Sequence, residues 1–246
     1  MSFQRKFQVT SGGEERVSRV VDILGPAFEF DPVFRFELQN FSLAEQKRIL
    51  PKLFHSFFFA SAINDGMLLE ADNFGSCAIL MPPGKTNDNF WTVLRAGIIP
   101  RLFTIGPAAC KVCVPYPKMK GGRESYAFKR IVLDYPGGNK AAMAKALTPA
   151  EQKAHWYVFI MATAVDRRRE GLASALLVYM KDKARSDGRP LWIEATTVES
   201  RDLYAKHGFE VVTKVNLGKG QVGPDGLVKK DGEGVTVWPM VWRPEY

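Results

Sequence analysis

The chain has 246 residues, 46% of them hydrophobic, which is enough for one sizeable core and longer than a minimal domain needs, so a single domain with insertions is expected. Its formal charge of +8 and pI of about 9.4 favour anionic ligands, but no nucleic-acid module is recognisable and the aromatic residues lie in apolar runs instead of alternating with Lys and Arg, so nucleic acid is not the expected partner. Three cysteines exclude a disulfide framework; Cys110 and Cys113 have the spacing of half a zinc site, without the second pair it would need, so no metal is expected. The start carries no apolar signal region and no stretch has the length of a membrane span, which gives the expectation of a soluble cytoplasmic protein without a membrane partner.

In chain order, Phe7-Gln8-Val9 reads as a short strand stopping at Ser11-Gly12-Gly13. Glu14 to Phe28 brings Val17, Val20, Val21 and Leu24 to one helical face. Ala27 to Phe34 is dense in phenylalanine. Ser42-Leu43-Ala44-Glu45 is a capping box that opens a second helix, and Pro51 is expected to kink or restart it before Leu53, Phe54, Phe57 and Phe58 bury its continuation. His55 reads as a helix-surface histidine. Met67 to Ala71 and Ser76 to Met81 read as two strands joined by a hairpin turn at Asp72-Asn73-Phe74-Gly75. Gly84-Lys85-Thr86 has the ending of a phosphate-binding loop, but Ile79 stands where its first glycine belongs. Phe90 to Thr104 reads as helical, 107–122 is rich in Pro, Gly and Lys, and Thr148-Pro149-Ala150-Glu151 is a helix start.

The stretch richest in chemistry runs from His155 to Leu177. Trp156 to Met161 is an apolar run that reads as a strand buried on both faces. After Ala162-Thr163-Ala164 come Asp166, Arg167, Arg168, Arg169, Glu170 and Gly171, then Leu172, Ala175, Leu176 and Tyr179 at helical spacing. The order is strand, basic glycine turn, helix. The first turn of a helix presents N–H groups without intrahelical partners and carries about half a positive charge, which suits phosphate. Gly171, Ala173 and Ser174 are small enough for phosphate to approach the backbone, with Arg167, Arg168 and Arg169 at the rim.

Arg168-Arg169-Glu170-Gly171-Leu172-Ala173 resembles the pyrophosphate loop of the GNAT superfamily, the acyl-CoA-dependent N-acetyltransferases: Gln or Arg, two residues, Gly, one residue, Gly or Ala. Met161-Ala162-Thr163 falls where the family has Leu-Gly-Val at the bulged end of its central strand, and Ser174-Ala175-Leu176-Leu177 continues the helix in register. Thr163 for Val and Val165 for Pro depart from the pattern without removing an amide donor. Downstream, Pro190 to Ala195 reads as a strand, Ser200 to His207 as a short helix and Phe209 to Val215 as a further strand. Leu203-Tyr204, three residues, then Gly208-Phe209 is similar to a second GNAT motif, in the right order and about thirty residues on. Asn216 to Gly234 is expected to be a long mobile connection to Val235–Trp242, which pairs back antiparallel, and Pro239 is expected to mark an edge or a bulge.

The resemblance implies an α/β (α+β) GNAT fold: a central mixed, mostly antiparallel twisted sheet of six to seven strands flanked by helices on both faces. It implies one domain over 1–246, with N-terminal strands and acceptor-side helices at 1–81, an insertion or lid at 82–153 between strands three and four, and an acetyl-CoA-binding core at 154–246. The likeness is to a fungal-type small-molecule member. The activity implied is transfer of the acetyl group of acetyl-CoA to the primary amine of a small molecule in a ternary complex, by a monomer or homodimer. Two alternatives stay open, a non-catalytic acyl-CoA-binding regulator and a protein or peptide N-acetyltransferase. The cofactor-binding residues implied are Met161, Ala162, Thr163, Arg168, Arg169, Glu170, Gly171, Leu172, Ala173, Ser174 and Tyr204. Tyr204 also matches a tyrosine held near the sulfur, where a phenol suits a general acid. For the base, Glu194 is the first choice and His155 the second. The link between the first two helices lines the acceptor pocket in the family, which makes Phe28, Phe30 and Phe34 the expected substrate contacts and a hydrophobic or aromatic amine the expected acceptor.

Overall fold

A computed structural model describes residues 7–85 and 135–245, with the side chains of 135–139 left aside. The expected helix at Phe90–Thr104, the Pro/Gly/Lys-rich stretch and the Cys110/Cys113 pair lie outside those residues. The described elements are β1 (Val9–Gly12), a 3-10 turn (Glu14–Arg16), α1 (Val17–Ala27), α2 (Pro32–Glu37), α3 (Leu43–Ala62), β2 (Met67–Ala71) and β3 (Ser76–Met81). After the undescribed stretch come α4 (Tyr135–Ala146), α5 (Pro149–Lys153), β4 (Trp156–Thr163), a second 3-10 turn (Val165–Arg167) and α6 (Leu172–Ser186). The chain then forms β5 (Leu191–Ala195), α7 (Val198–Lys206), β6 (Glu210–Val211), β7 (Val215–Leu217) and β8 (Val235–Trp242).

The sheet runs β1-β2-β3-β4-β5-β8-β6, with β7 also on β8. Every pairing is antiparallel except β4 with β5. The mixed, mostly antiparallel sheet with helices on both faces is therefore as expected, with eight strands instead of six to seven. The extra strand arises because Phe209–Val215 is not one strand. β6 and β7 pair in turn with β8 and break between them, and Val212 N–H donates to the Pro239 carbonyl at 2.9 Å. The Pro239 nitrogen lies on the same side of the strand as its carbonyl, so it faces that break. This is why a proline sits in an interior strand and not, as expected, at an edge or bulge.

One face of the sheet carries α6 and α7, packed through Leu172, Leu176, Leu177, Met180 and Tyr204 onto Val158, Leu191, Ile193 and Met240. On the other face α1 and α3 cover β2, β3 and β4 through Leu24, Phe54, Phe58, Leu68 and Ile79. Over β5, β7 and β8 the same face is covered by α4 through Ala142 and by α2 through Val33 and Phe36. α3 is a single helix through Pro51, opened by the expected Ser42/Glu45 capping box; the proline neither restarts nor ends it.

β4 is not buried on both faces. Trp156, Val158 and Ile160 are buried, while Tyr157, Phe159 and Met161 are half-buried and front a cleft. The register with β3 shifts between Ile79 and Leu80, leaving Phe159 unopposed as a bulge. The bulge reverses the parity of the strand: Phe159 and Ile160 both pack toward α1 and α3, and Met161 turns toward α6.

Candidate active site

The parallel ladder between β4 and β5 ends early. Val158↔Ile193 is its last pair, although β4 stays paired with β3 as far as Thr163. Beyond that pair the two strands separate, and a cleft of about 1890 Å³ opens between them, reaching both faces of the sheet. Met161, Ala162, Thr163, Arg168, Arg169, Gly171, Leu172, Ala173 and Ser174 line it from the β4–α6 side. Tyr204, Glu194 and His155 line it as well, as do Phe28, Phe30 and Phe34.

The β4–α6 connection leaves the start of α6 open. Arg169 at φ +67° and Gly171 at φ +94° turn the chain through the left-handed region, where Gly171 is at ease and Arg169 is strained. α2, α3, α5 and α7 are capped by the side chains of Asp31, Ser42, Thr148 and Thr197. α6 starts at Gly171 with no side-chain cap. Its first-turn amides therefore keep the capacity to donate to an anion.

Arg167 also lines the cleft, but its charge is already paired. Its guanidinium bonds Asp72 at 2.6 Å and Glu170 at 2.7 Å, and these partners raise its pKa. It fastens the β2–β3 hairpin to the loop, and an added Cβ at Gly75 would stand 2.8 Å from Leu172. Glu170, expected at the cofactor, spends its carboxylate on this latch. Two other hydroxyls of the expected set are also engaged: Ser174 Oγ lies 3.0 Å from His207 Nε2, and Thr163 Oγ1 lies 3.0 Å from Ser76 Oγ.

The ionisable groups converge on the opposite wall. Glu194 points into the cleft from β5, accepting from Tyr157 Oη at 2.9 Å and Trp192 Nε1 at 2.5 Å. Burial outweighs these two bonds and lifts its pKa to about 7. Tyr204 is nearly buried, and its pKa is raised by burial first and by the charges of Asp31 and Glu194 after it. Its phenol thus stays protonated at neutral pH. His155 follows α5, with Nδ1 3.1 Å from the Glu151 carbonyl, and burial lowers its pKa. Phe28 and Phe34 pack edge to face at 5.5 Å, and both meet Phe54. Phe30 sits at the outer rim, 67% exposed under the Arg35 guanidinium.

One residue of this wall escaped the sequence reading. Asp31 is 7% exposed and lines the cleft. Its Oδ1 accepts from the Val33 and Phe34 amides at 2.9 and 3.3 Å, and its Oδ2 accepts from Thr196 Oγ1 at 2.5 Å. Burial pushes its pKa up against those bonds. The signal was available, since Asp followed by Pro is a helix N-cap with proline at the first position, but the surrounding phenylalanines had drawn the reading to aromatic contacts. Among the described residues, no group of three or more His, Cys, Asp and Glu side chains could hold a metal ion.

Residues 115–209 match the model of the Acetyltransferase (GNAT) family. The matched residues take in β4, the basic turn, α6, β5 and α7, so this part of the chain is similar to the GNAT acetyltransferases. It is 22% identical over 220 residues to an uncharacterized N-acetyltransferase of Schizosaccharomyces pombe, covering 89% of this chain and 76% of that one. A histone acetyltransferase HPA2-related acetyltransferase from Corynebacterium glutamicum has the same fold at TM-score 0.53 and 18% identity, with 98% of each chain covered. A mosquito arylalkylamine N-acetyltransferase-like protein, 5b, aligns at TM-score 0.56 and 13% identity over 96% of this chain and 99% of its own. At such identities the likeness is one of fold, and the acceptor of this protein has to be argued from its own cleft.

Proposed function

We propose that this protein transfers the acetyl group of acetyl-CoA to the primary amine of a small molecule with an apolar or aromatic body, by direct attack in a ternary complex. The observation that carries the reading is the early end of the β4–β5 ladder: an uncapped helix start faces one side of the opening, and the buried Asp31 and half-buried Glu194 with a tyrosine face the other. The open amides of α6, with Arg168 and Arg169 beside them, fit a pyrophosphate. Acetyl-CoA supplies the activated acyl group. Among the described residues the β4 backbone at Met161–Thr163 has no strand partner on its β5 side, and we assign an N–H there to the thioester oxygen.

Glu194 receives the proton that the amine gives up, and its pKa of about 7 suits a base at neutral pH. The carbon–nitrogen bond forms as the carbon–sulfur bond breaks, and Tyr204 protonates the departing thiolate. Tyr204 is a weak acid while Asp31 and Glu194 are both charged. Once Glu194 has taken the amine's proton, one of those charges is gone, so the phenol becomes more acidic when the thiolate leaves. Asp31, buried beside Tyr204, attracts an ammonium group to this end of the cleft. His155, with its pKa lowered, is the alternative base, reaching the site through the Tyr157 ring packed beside it.

Phe28, Phe34, Phe54, Phe57 and Phe159 around the acidic pair favour an amine on an apolar body over a polyamine. The arylalkylamine named for the mosquito protein is of that kind. We take the described part of the 82–153 stretch to shape this end, since Lys140, Met143, Gln152 and Lys153 front the cleft; the rest of it lies outside the described residues. No helix among the described residues is long and apolar enough to cross a membrane. We take the protein to act in the cytoplasm as a monomer or homodimer, without nucleic-acid partners. Calorimetric titration with acetyl-CoA tests the cofactor site. Binding by the wild type that an Arg168→Glu/Gly171→Asp variant loses supports it; equal binding by both removes the α6 site.

A further inference from the structure

Residues 218–234, between β7 and β8, line no part of the cleft, yet they hold the helix that carries Asp31. α2 has six residues, too few for a helix to persist alone in water, so its place is set by what it packs against. Val33 and Phe36 are buried with Leu217, Val222, Val235 and Val237. Two glycines of the loop permit a closer approach. A Cβ at Gly218 would stand 2.4 Å from the Phe36 ring, and one at Gly226 would stand 2.2 Å from the Pro32 carbonyl oxygen and 2.9 Å from Arg35 Cβ. Pro32 immediately follows Asp31.

The loop itself is braced, contrary to the expectation of a mobile connection. Gly220 N–H donates to Gly232 O at 2.8 Å, Lys229 N–H to Gln221 O at 2.9 Å, and Gly234 N–H to Val222 O at 2.8 Å. Val222 and Val228 form a β-bridge across it, and Asn216 Nδ2 donates to Glu233 O at 2.9 Å. Its glycines serve close contact and positive φ instead of flexibility.

We propose that this loop is the seat of α2, and that Gly226 is a positioning residue for the acceptor end of the cleft. By touching the first turn of α2 it fixes where the Asp31 carboxylate stands relative to Thr196 and Tyr204. The inference rests on the reading of Asp31 as an acceptor-side carboxylate. A methyl group at 226 must move the Pro32 carbonyl, and the cap moves with it. The α6 site on the other face is untouched.

Gly220 provides the control, because its φ of +80° matches the +78° of Gly226 while nothing lies within 4 Å of an added Cβ. Both Ala variants carry the same backbone strain, and Gly226→Ala alone meets α2. In Gly226→Ala, kcat/KM for the amine is expected to fall about 10- to 100-fold with acetyl-CoA affinity unchanged, since small displacements of positioned groups cost that much. Hydrogen exchange at the Val33 and Phe34 amides, which Asp31 caps, is expected to quicken in the same variant and not in Gly220→Ala. Val222→Ala loosens the seat without adding a clash and gives the same direction if Gly226→Ala does not fold. If the two glycine variants behave alike, or if exchange quickens while kcat/KM stays at the wild-type value, the positioning role is wrong. A wild type that acetylates no amine defeats the transferase reading separately, and amide exchange still decides whether the loop seats α2.

Discussion

Thr196 donates its hydroxyl proton to Asp31 Oδ2 at 2.5 Å, joining residues 165 apart in sequence and tying the cap of α2 to the chain just beyond β5. Glu194 lies two residues before Thr196. The same short stretch thus supplies one half-buried carboxylate and fixes a second, buried one, with Tyr204 under the influence of both charges.

Substituting Glu194 by Gln keeps an oxygen to accept from Trp192 and an NH2 group that can donate to the Tyr157 hydroxyl, while abolishing the base. kcat/KM at neutral pH is expected to fall on the order of 10²–10⁴-fold. The wild-type profile should rise with pH through about 7, as Glu194 loses its proton, and the variant should lack that limb. A rate within a few-fold of wild type at every pH would transfer the role to another group.

The same residue links stability to pH. Its folded-state pKa of about 7 lies above the ordinary 4.5, so the native state holds the proton more tightly than the unfolded chain. Its contribution is full below about 4.5 and is lost as pH rises to about 7. Glu194→Gln is therefore expected to raise the melting temperature relative to wild type above pH 7, with the gap closing toward pH 4.5 in paired thermal melts.

Asp31 separates into cap and charge. Asn caps a helix about as well as Asp, so Asp31→Asn should keep stability within about 1 kcal/mol of wild type while kcat/KM for the amine falls. Asp31→Ala should lose both, with about 1 kcal/mol of stability going with the cap. Denaturant melts and kinetics on the pair check this, and normal kinetics in Asp31→Asn would reduce the residue to a structural cap.

Tyr204→Phe removes the phenol and keeps the ring that packs on Phe209. kcat should drop on the order of 10²-fold with acetyl-CoA affinity held, and the loss should shrink with an acyl donor whose thiolate is a better leaving group. A uniform rise in KM for acetyl-CoA would instead make Tyr204 a packing residue.

The end of the cleft that we propose for the cofactor was legible as structure because its residues are contiguous: strand, basic turn and helix start fall in one run from Trp156 to Ser186, and the amides of an open helix end need no distant partner. The acceptor side was legible only in part. Asp31 matters because of Thr196, a contact no local pattern encodes, and Glu194 gains its raised pKa from burial beside Trp192 and Tyr157. Arg167 read as a rim charge because its partner Asp72 comes from a hairpin far away in sequence. The glycines of 218–234 read as mobility, whereas at Gly218 and Gly226 they mark close approach, which composition alone does not distinguish.

The most direct test of acetyl transfer is thiol release from acetyl-CoA in the presence of a phenylalkyl amine, with the acylated product identified by mass, for the wild type and the Arg168→Glu/Gly171→Asp variant. The account predicts that the wild type releases thiol in step with the acetylated amine and that the variant does neither. A wild type that binds acetyl-CoA yet releases no thiol with aromatic, aliphatic or peptide amines would contradict it and leave a protein that binds the cofactor without using it.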